Sequence, residues 1–373
     1  RAHLRPVVGA RRDLELGRGR AAVVLDRRRG VVGGLRGGVE AALARGVHHG
    51  VGLALEEDEE LREAEAHLDE VTGRMREVAA EYLDESVHAD RVVRRALERV
   101  AAQAVVTDNT VLPLVREALE HATDFVRDRE LVSIPQQDTE VIEMPEIHRG
   151  VAVAYCDAPG PLEEASVPTY VAVSPTPESW DQERVESFYR EYNATLLHDL
   201  TIHEAMPGHV LQLAHAARAQ TPTRVRRFGF SGVFVEGWAV YAEELLLDNG
   251  YAPEDSPQSA LAIRLQQLKM QARMAINTIL DIRVHSMEMS EDEALWLMTF
   301  CGFQEEGEAI GKWRRALLTA GQLPTYFVGY QAVRSIANDL RVVHPDWSDR
   351  QVHDLMLSHG SPAPRHLRTL IGI

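Results

Sequence analysis

The stretch HEAMPGH, residues 203 to 209, contains residue types that bind zinc, but at an unusual spacing. In the familiar zinc-peptidase pattern H-E-x-x-H, two histidines four residues apart lie on one face of a helix. Here Pro207 occupies the fourth position, and on an unbroken helix His203 and His209 would point about 240° apart. Pro207 interrupts helical hydrogen bonding and Gly208 tolerates unusual backbone angles. The Pro-Gly pair therefore predicts a helix bulge that brings His209 back over His203.

A third ligand is predicted downstream, in the sequence EGWAVYAEE at residues 236 to 244. Glu236 and Glu243 are seven residues apart, so they share one face of a helix among apolar neighbours. A carboxylate in such surroundings is costly unless it is paired or bound to a metal. EGWA also resembles the Asn-Glu-Gly-Phe-Ala helix of aminopeptidase-class metallopeptidases, whose Glu binds zinc. We therefore expect Glu236 to be the third ligand of one zinc ion per chain, and Glu243 to orient a histidine.

Two further residues could carry the chemistry of hydrolysis. Glu204, adjacent to the first ligand, is expected to be the general base that takes a proton from zinc-bound water. The oxyanion that forms needs a second electrophile besides the metal, and the Tyr326 hydroxyl in GQLPTYFVG can supply it. The alternative interpretation of Tyr326 is an aromatic side chain that only packs in the core or at an interface.

A polar stripe runs along an otherwise apolar predicted helix, with Arg273, Asn277, Asp281 and His285 at successive four-residue spacings. Such a stripe either faces water or lines a polar cleft. In the cleft interpretation, His285 helps to bind the oxyanion or an acidic product, and Asp281 orients His285. Arg365 can clamp a peptide carboxylate through two hydrogen bonds, although an exposed arginine without a specific contact fits the sequence equally well.

The surrounding sequence predicts the elements that position these residues. Residues 1–135 have helical spacing of apolar and charged residues, apart from an Arg- and Gly-rich stretch to about residue 50 that has no clear pattern. Residues 136–179 contain recurring prolines and two short β-favouring runs, which predict a strand and linker segment beside the cleft. Residues 180–373 are again helical and form the predicted metal-binding catalytic region. We expect a mainly α fold with a small β element and a deep cleft.

Composition restricts the possible functions. The formal net charge of −17 argues against nucleic acid or an anionic membrane as a partner. No apolar run approaches the roughly 20 residues needed to cross a bilayer. The two cysteines, Cys156 and Cys301, are far apart, which argues against a disulfide framework or a thiolate zinc site. The chain begins without Met, and the location we expect is the cytoplasm.

Three segments, HEAMPGHVLQ, EGWAVYAEE and GQLPTYFVGYQAV, resemble the bacterial family catalogued as domain of unknown function 885. Its members typically have the patterns H-E-x-x-P-G-H-H, E-G-W-A-x-Y-x-E and Gln-x-x-x-Tyr-x-x-Gly, and are regarded as zincin-like metallopeptidases. The resemblance is good over residues 180–373, looser over the strands, and limited to helical character before them. It supports the catalytic interpretation of Tyr326 and the cleft interpretation of the polar stripe.

The resemblance implies His203, His209 and Glu236 as metal ligands and Glu204 as the base. One departure concerns Val210, which stands where the family often has a second histidine. His209 is therefore the only candidate ligand from that pair of positions, and substrate preference is expected to differ from that of relatives.

Together these patterns predict a zinc metallopeptidase with a peptide or a small amide as substrate, held in extended form along a strand edge. Two alternatives remain open. The same site could hydrolyse a non-peptide amide or ester, which a substrate panel would distinguish. The chain could also be a non-catalytic protein with a structural or vestigial metal, which a fourth protein ligand such as Glu243 would favour. The sequence does not indicate an oligomeric state.

Overall fold

The computed structural model describes residues 57–149, 153–160, 162–163 and 167–373. Within these ranges the chain is mainly helical with one small sheet, which confirms the predicted mainly α fold class. The Arg- and Gly-rich stretch to about residue 50 lies outside the described residues. None of the described helices combines the length and apolar character needed to cross a bilayer.

Three helices precede the sheet: α1 (Glu57–Leu83), α2 (Val92–Gln103) and α3 (Val111–Asp128). Helix α3 buries one stripe of residues at spacings of three and four, as an amphipathic helix does when it covers a core. The stripe consists of Val111, Val115, Ala118, Ala122 and Val126.

Three strands form a sheet in the order β1–β3–β2, with β1 at Thr139–Glu143, β2 at Ala154–Asp157 and β3 at Thr169–Val173. Strand β1 runs parallel to β3, and β2 runs antiparallel to it with Cys156 opposite Val171. The sequence predicted β2 and β3 but missed β1, whose short TEVIE sequence carries three polar residues among its five. Strand β2 is thus an edge strand.

Helices make up most of the remaining described chain. They are α4 (Gln182–Glu191), α5 (Ala194–Glu204), α6 (His209–Arg218), α7 (Arg224–Phe228), α8 (Gly232–Asp248), α9 (Pro257–Ser286), α10 (Glu291–Trp296), α11 (Glu306–Leu318), α12 (Thr325–Val343), α13 (Asp349–Leu357) and α14 (Pro364–Ile371). A side-chain cap starts α5, where Asn193 Oδ1 accepts the N–H of Leu196 at 3.2 Å.

One hydrophobic core joins helices from both ends of the described chain. It contains Met75 of α1, Trp238 of α8, Leu268 of α9 and Phe327 of α12, each almost fully buried. Helix α8 is buried on nearly all sides, which explains why its sequence is apolar apart from its glutamates. The boundaries predicted at 135 and 179 stay predictions, but helices on either side of them share this core.

A second, smaller core lies under the sheet. Val171 and Val173 of β3 pack there with Leu196 of α5 and Val210 of α6. The sheet is therefore fixed against the two helices that contain the histidines of the HEAMPGH segment.

Candidate metal centre

The HEAMPGH segment forms a turn between two helices. Helix α5 ends at Glu204, α6 begins at His209, and the Met206–Pro207 peptide bond in between is cis. The prediction of a bulge within one continuous helix is wrong in this respect. The physical reason is that Pro207 has no N–H to donate to the carbonyl four residues before it.

Two backbone hydrogen bonds cross this interruption. The N–H of Gly208 donates to Ile202 O at 3.0 Å, and the N–H of Leu211 donates to Ala205 O at 3.2 Å. Helical hydrogen bonds join residues four apart, whereas these two join residues six apart. The turn therefore absorbs two extra residues, and His209 takes the place that the residue four after His203 would have on a regular helix.

The turn requires glycine at position 208. A Cβ atom there would lie 1.8 Å from His203 O and 2.4 Å from Ile202 O, both backbone atoms. The neighbouring helix fixes the turn from the other side, because Trp238 Nε1 donates to Pro207 O at 2.8 Å. This hydrogen bond thus joins the Pro-Gly pair of the turn to the Gly237–Trp238 pair of α8.

His203, His209 and Glu236 come together at this turn, with their donor atoms all within 4.8 Å of one another. Glu236 Oε2 lies 3.6 Å from His203 Nε2 and 3.5 Å from His209 Nε2. The two imidazole rings are nearly perpendicular, at 86°, with centroids 4.8 Å apart. We call these three residues the His–His–Glu cluster. In the part of the chain that the structure describes, no other group of histidine, cysteine or acidic residues is arranged in this way.

The cluster fits a divalent metal ion such as zinc. Glu236 Oε2 is buried without a hydrogen-bond partner, since both histidine nitrogens are too far away to donate to it. A buried carboxylate oxygen without a partner is costly, and a cation among the three side chains would supply the missing interaction. Imidazole nitrogens and a carboxylate oxygen are also the donor set of many catalytic zinc sites.

Glu243 fixes the orientation of His203. Its Oε1 atom accepts a hydrogen bond from His203 Nδ1 at 2.6 Å, and its side chain is almost fully buried. With its proton on Nδ1, His203 presents the Nε2 lone pair to the cluster. Glu243 therefore lies on the far side of the ring and leaves the fourth coordination position free of its carboxylate.

The cluster creates a negative environment. Burial by itself lowers the pKa of His203, but the nearby Glu236 carboxylate and the hydrogen bond to Glu243 outweigh this effect and hold that pKa well above its ordinary value. Burial by itself raises the pKa of Glu236, but both histidines overcome it and hold the Glu236 pKa well below its ordinary value. Both directions indicate that a positive charge is favoured at this position.

Glu204 lies at the end of α5 against the edge strand β2. The backbone N–H of Cys156 lies near the Glu204 carboxylate and acts to lower its pKa. Burial raises the pKa of Glu204, against the opposite effect of His209 and His203. A raised carboxyl pKa brings the group closer to neutral pH, where a general base works best.

Tyr326 reaches the cluster because α8 and α12 cross at two glycines. A Cβ atom on Gly237 would lie 2.2 Å from the carbonyl carbon of Gly329, so the helices could not approach this closely with larger residues. Tyr326 is one turn before Gly329, and its ring stacks on that of His203 with centroids 6.4 Å apart. Burial and the charge of Glu236 raise the pKa of Tyr326, so its hydroxyl keeps its proton at neutral pH.

A family model described as "Bacterial protein of unknown function (DUF885)" matches residues 38–371. The chain belongs to this family. The match extends into the N-terminal helices, where the resemblance seen in the sequence was limited to helical character. A search of curated proteins returned no match for this DUF885 chain.

Two solved structures are similar to this DUF885 chain over 89% of its length, each with a TM-score of 0.76. One, 28% identical, is described as "a putative lipoprotein of unknown function from Shewanella oneidensis", and 59% of that protein is covered. The other, 17% identical, is described as "the putative lipoprotein from Colwellia psychrerythraea", with 55% covered, and shows the fold alone. The chain spans somewhat more than half the length of these two proteins.

These descriptions contradict the predicted cytoplasmic location. A lipoprotein is an extracellular or membrane-anchored protein, and both solved structures carry that description. The prediction rested on weak grounds, since nothing in the composition of the chain addresses its compartment.

The structure does not bring His285 or Arg365 to the cluster. His285 is exposed in the last turn of α9, and its Nε2–H donates to Thr319 O at 2.6 Å. Arg365 is exposed on α14, where its Nε contacts His366 Nε2 at 3.3 Å. Asp281 accepts the backbone N–H of Gly321 at 2.9 Å, so it holds the loop before α12 instead of orienting His285.

Arg273 lies in a buried ionic network between helices. It pairs with Glu308 of α11 and lies 3.7 Å from Glu191 of α4, and its Nη2 donates to Tyr192 OH at 3.2 Å. The polar stripe on α9 thus divides: its first residue joins helices, Asp281 positions a loop, and its last residue faces water.

A basic group that was not predicted from the sequence lies beside Tyr326. Arg315 Nη2 lies 3.4 Å from Tyr326 OH, and the same guanidinium donates to Gln322 Oε1 at 2.7 Å. The helix that carries Arg315 was not predicted, because its sequence, EGEAIGKWRRALL, has glycines that weaken a helical pattern. The helix could have been predicted from the spacing of Glu308, Lys312 and Arg315, which places the three charged residues on one helical face.

Proposed function

We propose that this chain is a zinc-dependent metallopeptidase of a mostly helical, zincin-like type. The observation that carries the proposal is the convergence of His203, His209 and Glu236, with Glu204 next to the first of them in sequence. The two Nε2 atoms and the Glu236 carboxylate would hold one zinc ion, which when bound supplies a Lewis acid that polarises a carbonyl and acidifies water. Glu243, bound to the far side of His203, keeps the donor atom in place.

Two residues of the chain would transfer the proton and stabilise the oxyanion. Glu204 accepts the proton of the attacking water and passes it to the leaving amine. Tyr326 donates a hydrogen bond from its hydroxyl to the carbonyl oxygen as negative charge develops on that oxygen. Its oxygen already accepts long hydrogen bonds of 3.4 Å from Arg315 and Gln322, so its own proton stays available for the substrate.

The edge strand β2 supports a peptide as the substrate. Ser174 N–H donates to Val153 O at 2.8 Å, so in the alternation of an antiparallel pair Ala154 and Cys156 direct their backbone groups away from β3. The backbone N–H of Cys156 lies near the Glu204 carboxylate, so this open edge is beside the proposed base. In the described residues no further strand covers this edge, and an extended peptide could pair with it next to the site.

Elemental analysis combined with peptide hydrolysis tests the proposal. We expect about one zinc per chain in the wild type and in Glu204→Gln, since glutamine removes only the proposed base. His209→Ala should lose the metal, and both variants should lose hydrolysis of a peptide library. Hydrolysis of amides or esters without peptides would favour a non-peptide hydrolase instead. Zinc binding without any hydrolysis would contradict catalysis and favour a metal-binding protein.

A further inference from the structure

Helix α11 directs two basic side chains toward the proposed site. Glu308, Lys312 and Arg315 lie on one face of the helix, and Arg315 reaches Tyr326, whose ring stacks on His203. We call Lys312 and Arg315 the basic pair. Arg315 is therefore separated from the His–His–Glu cluster by a single tyrosine side chain, and Lys312 lies next to Arg315 on the same helical face.

In the described residues the basic pair forms no close salt bridge, unlike the neighbouring cations. Lys269 lies 2.9 Å from Glu191, and Arg273 pairs with Glu308. In contrast, neither Lys312 nor Arg315 forms a salt bridge within the described part of the chain. The guanidinium of Arg315 is held by two neutral groups, the Gln322 amide and the Tyr326 hydroxyl, which orient it without neutralising it.

Lys312 is unusual because it is buried. Only 6% of it is exposed, and burial together with the nearby Arg273 lowers the pKa of Lys312 to about 7, against the opposite effect of Glu308 and Glu191. Because these two carboxylates already face Arg273 and Lys269, an incoming anion would add a partner for the buried ammonium group. This environment favours an anionic ligand next to Arg315.

The distance along an extended peptide decides which carboxylate could reach the pair. If Tyr326 donates to the carbonyl under attack, Arg315 lies one hydrogen bond, 3.4 Å, beyond that hydroxyl. An extended chain advances about 3.3–3.6 Å per residue. A free carboxylate one or two residues after the cleaved bond therefore falls within reach of the guanidinium, which binds carboxylates through two parallel hydrogen bonds.

We propose that Arg315, supported by Lys312, binds the C-terminal carboxylate of the substrate, so that the chain removes one or two residues from the C-terminus of short peptides. This inference rests on the proposed peptidase function for its catalytic part. The basic pair takes the role that the sequence suggested for Arg365.

A binding measurement tests the carboxylate site independently of turnover. Zinc-loaded Glu204→Gln protein is titrated calorimetrically with an N-acetylated tetrapeptide and with the same peptide as its C-terminal amide. We expect the acid to bind at least about tenfold more tightly than the amide, because only the acid can pair with Arg315. Adding Arg315→Gln should abolish this difference, Arg315→Lys should retain part of it, and Lys312→Met should reduce it.

Two arginines provide matched controls. Arg314 is exposed and directly precedes Arg315 on α11, and Arg365 is exposed on α14. Arg314→Gln and Arg365→Gln should leave the acid-to-amide ratio unchanged. Circular dichroism of every variant checks that the helices remain folded, and Arg315→Lys retains the charge if the glutamine variant is unstable.

The outcomes separate the two proposals. Equal affinity for acid and amide, binding of neither, or a preference that survives Arg315→Gln would overturn the carboxylate site. A preference that depends on Arg315, together with a zinc-loaded wild type that hydrolyses neither peptide, would refute the peptidase function and leave the carboxylate site standing. If both hold, the wild-type kcat/KM ratio of acid to amide should fall toward one in Arg315→Gln.

Discussion

Replacement of Glu243 gives a sensitive test of the metal centre, because this residue acts only through His203. Its carboxylate accepts the Nδ1–H of His203 at 2.6 Å and is about 1% exposed, so water cannot replace it. Partners of this kind typically contribute about 10- to 100-fold to metal affinity, or about 1.4–2.7 kcal/mol. Glu243→Gln keeps an acceptor oxygen but loses the charge, so we expect a loss near tenfold. Glu243→Ala loses both, and we expect a loss near one hundredfold.

The assay is a zinc competition titration against a chromophoric chelator at pH 7.5. The adjacent Glu244 provides a matched control, since it is also buried but accepts a hydrogen bond from Tyr330 and pairs with Arg334 at 3.3 Å. Glu244→Gln should leave the zinc dissociation constant unchanged. If Glu243→Ala binds zinc as tightly as Glu244→Gln does, the assignment of His203 as a ligand oriented by Glu243 is refuted.

Two further predictions concern the turn and the stability of the fold. Gly208→Ala places a Cβ 1.8 Å from His203 O, so we expect a zinc content well below one per chain and a free energy of unfolding lower by about 3 kcal/mol. Elemental analysis measures the zinc content, and urea unfolding measures the stability. In the control variant Gly232→Ala the new Cβ would meet nothing within 4 Å, so zinc content and stability should stay unchanged. His353 is buried, and burial lowers its pKa to about 4 from 6.5, so its contribution is fully present above pH 6.5 and is lost as the pH falls toward 4. Between pH 7 and 5 the free energy of unfolding of the metal-free wild type should therefore fall by about 2 kcal/mol more than that of His353→Gln, as measured by urea unfolding. An equal fall in the two proteins would show that His353 is not the cause.

Residues whose positions are decided locally could be predicted from the sequence. His203, Glu204 and His209 lie within seven residues, and a Pro-Gly turn can bring the two histidines together through hydrogen bonds inside that segment. Tyr326 and Gly329 are likewise one helical turn apart, so a close crossing at the glycine also places the tyrosine. Even so, the sequence did not distinguish a bulged helix from two helices joined by a turn, since both fit the same residues.

The sequence could not decide which distant cation approaches the site. Arg365 and His285 had suitable chemistry, but helix ends carry both to the surface. Arg315 had the same chemistry within a weak helical pattern, and packing of α11 against α4 and α9 carries it to Tyr326. A guanidinium has the same donors wherever it lies, so only its neighbours show what it can bind.

The amino-acid sequence by itself therefore determined the mainly α fold class, the family and the donor chemistry, because helical spacing and local motifs are properties of short segments. Tertiary structure decided the rest. It placed Glu236 of α8 against the two histidines, where Trp238 holds the turn between α5 and α6. It also brought Tyr326 to them through the crossing of α8 and α12 at Gly237 and Gly329, and it set β2 beside Glu204. These contacts join segments far apart in the chain, and they depend on which surfaces pack together, which no short pattern contains.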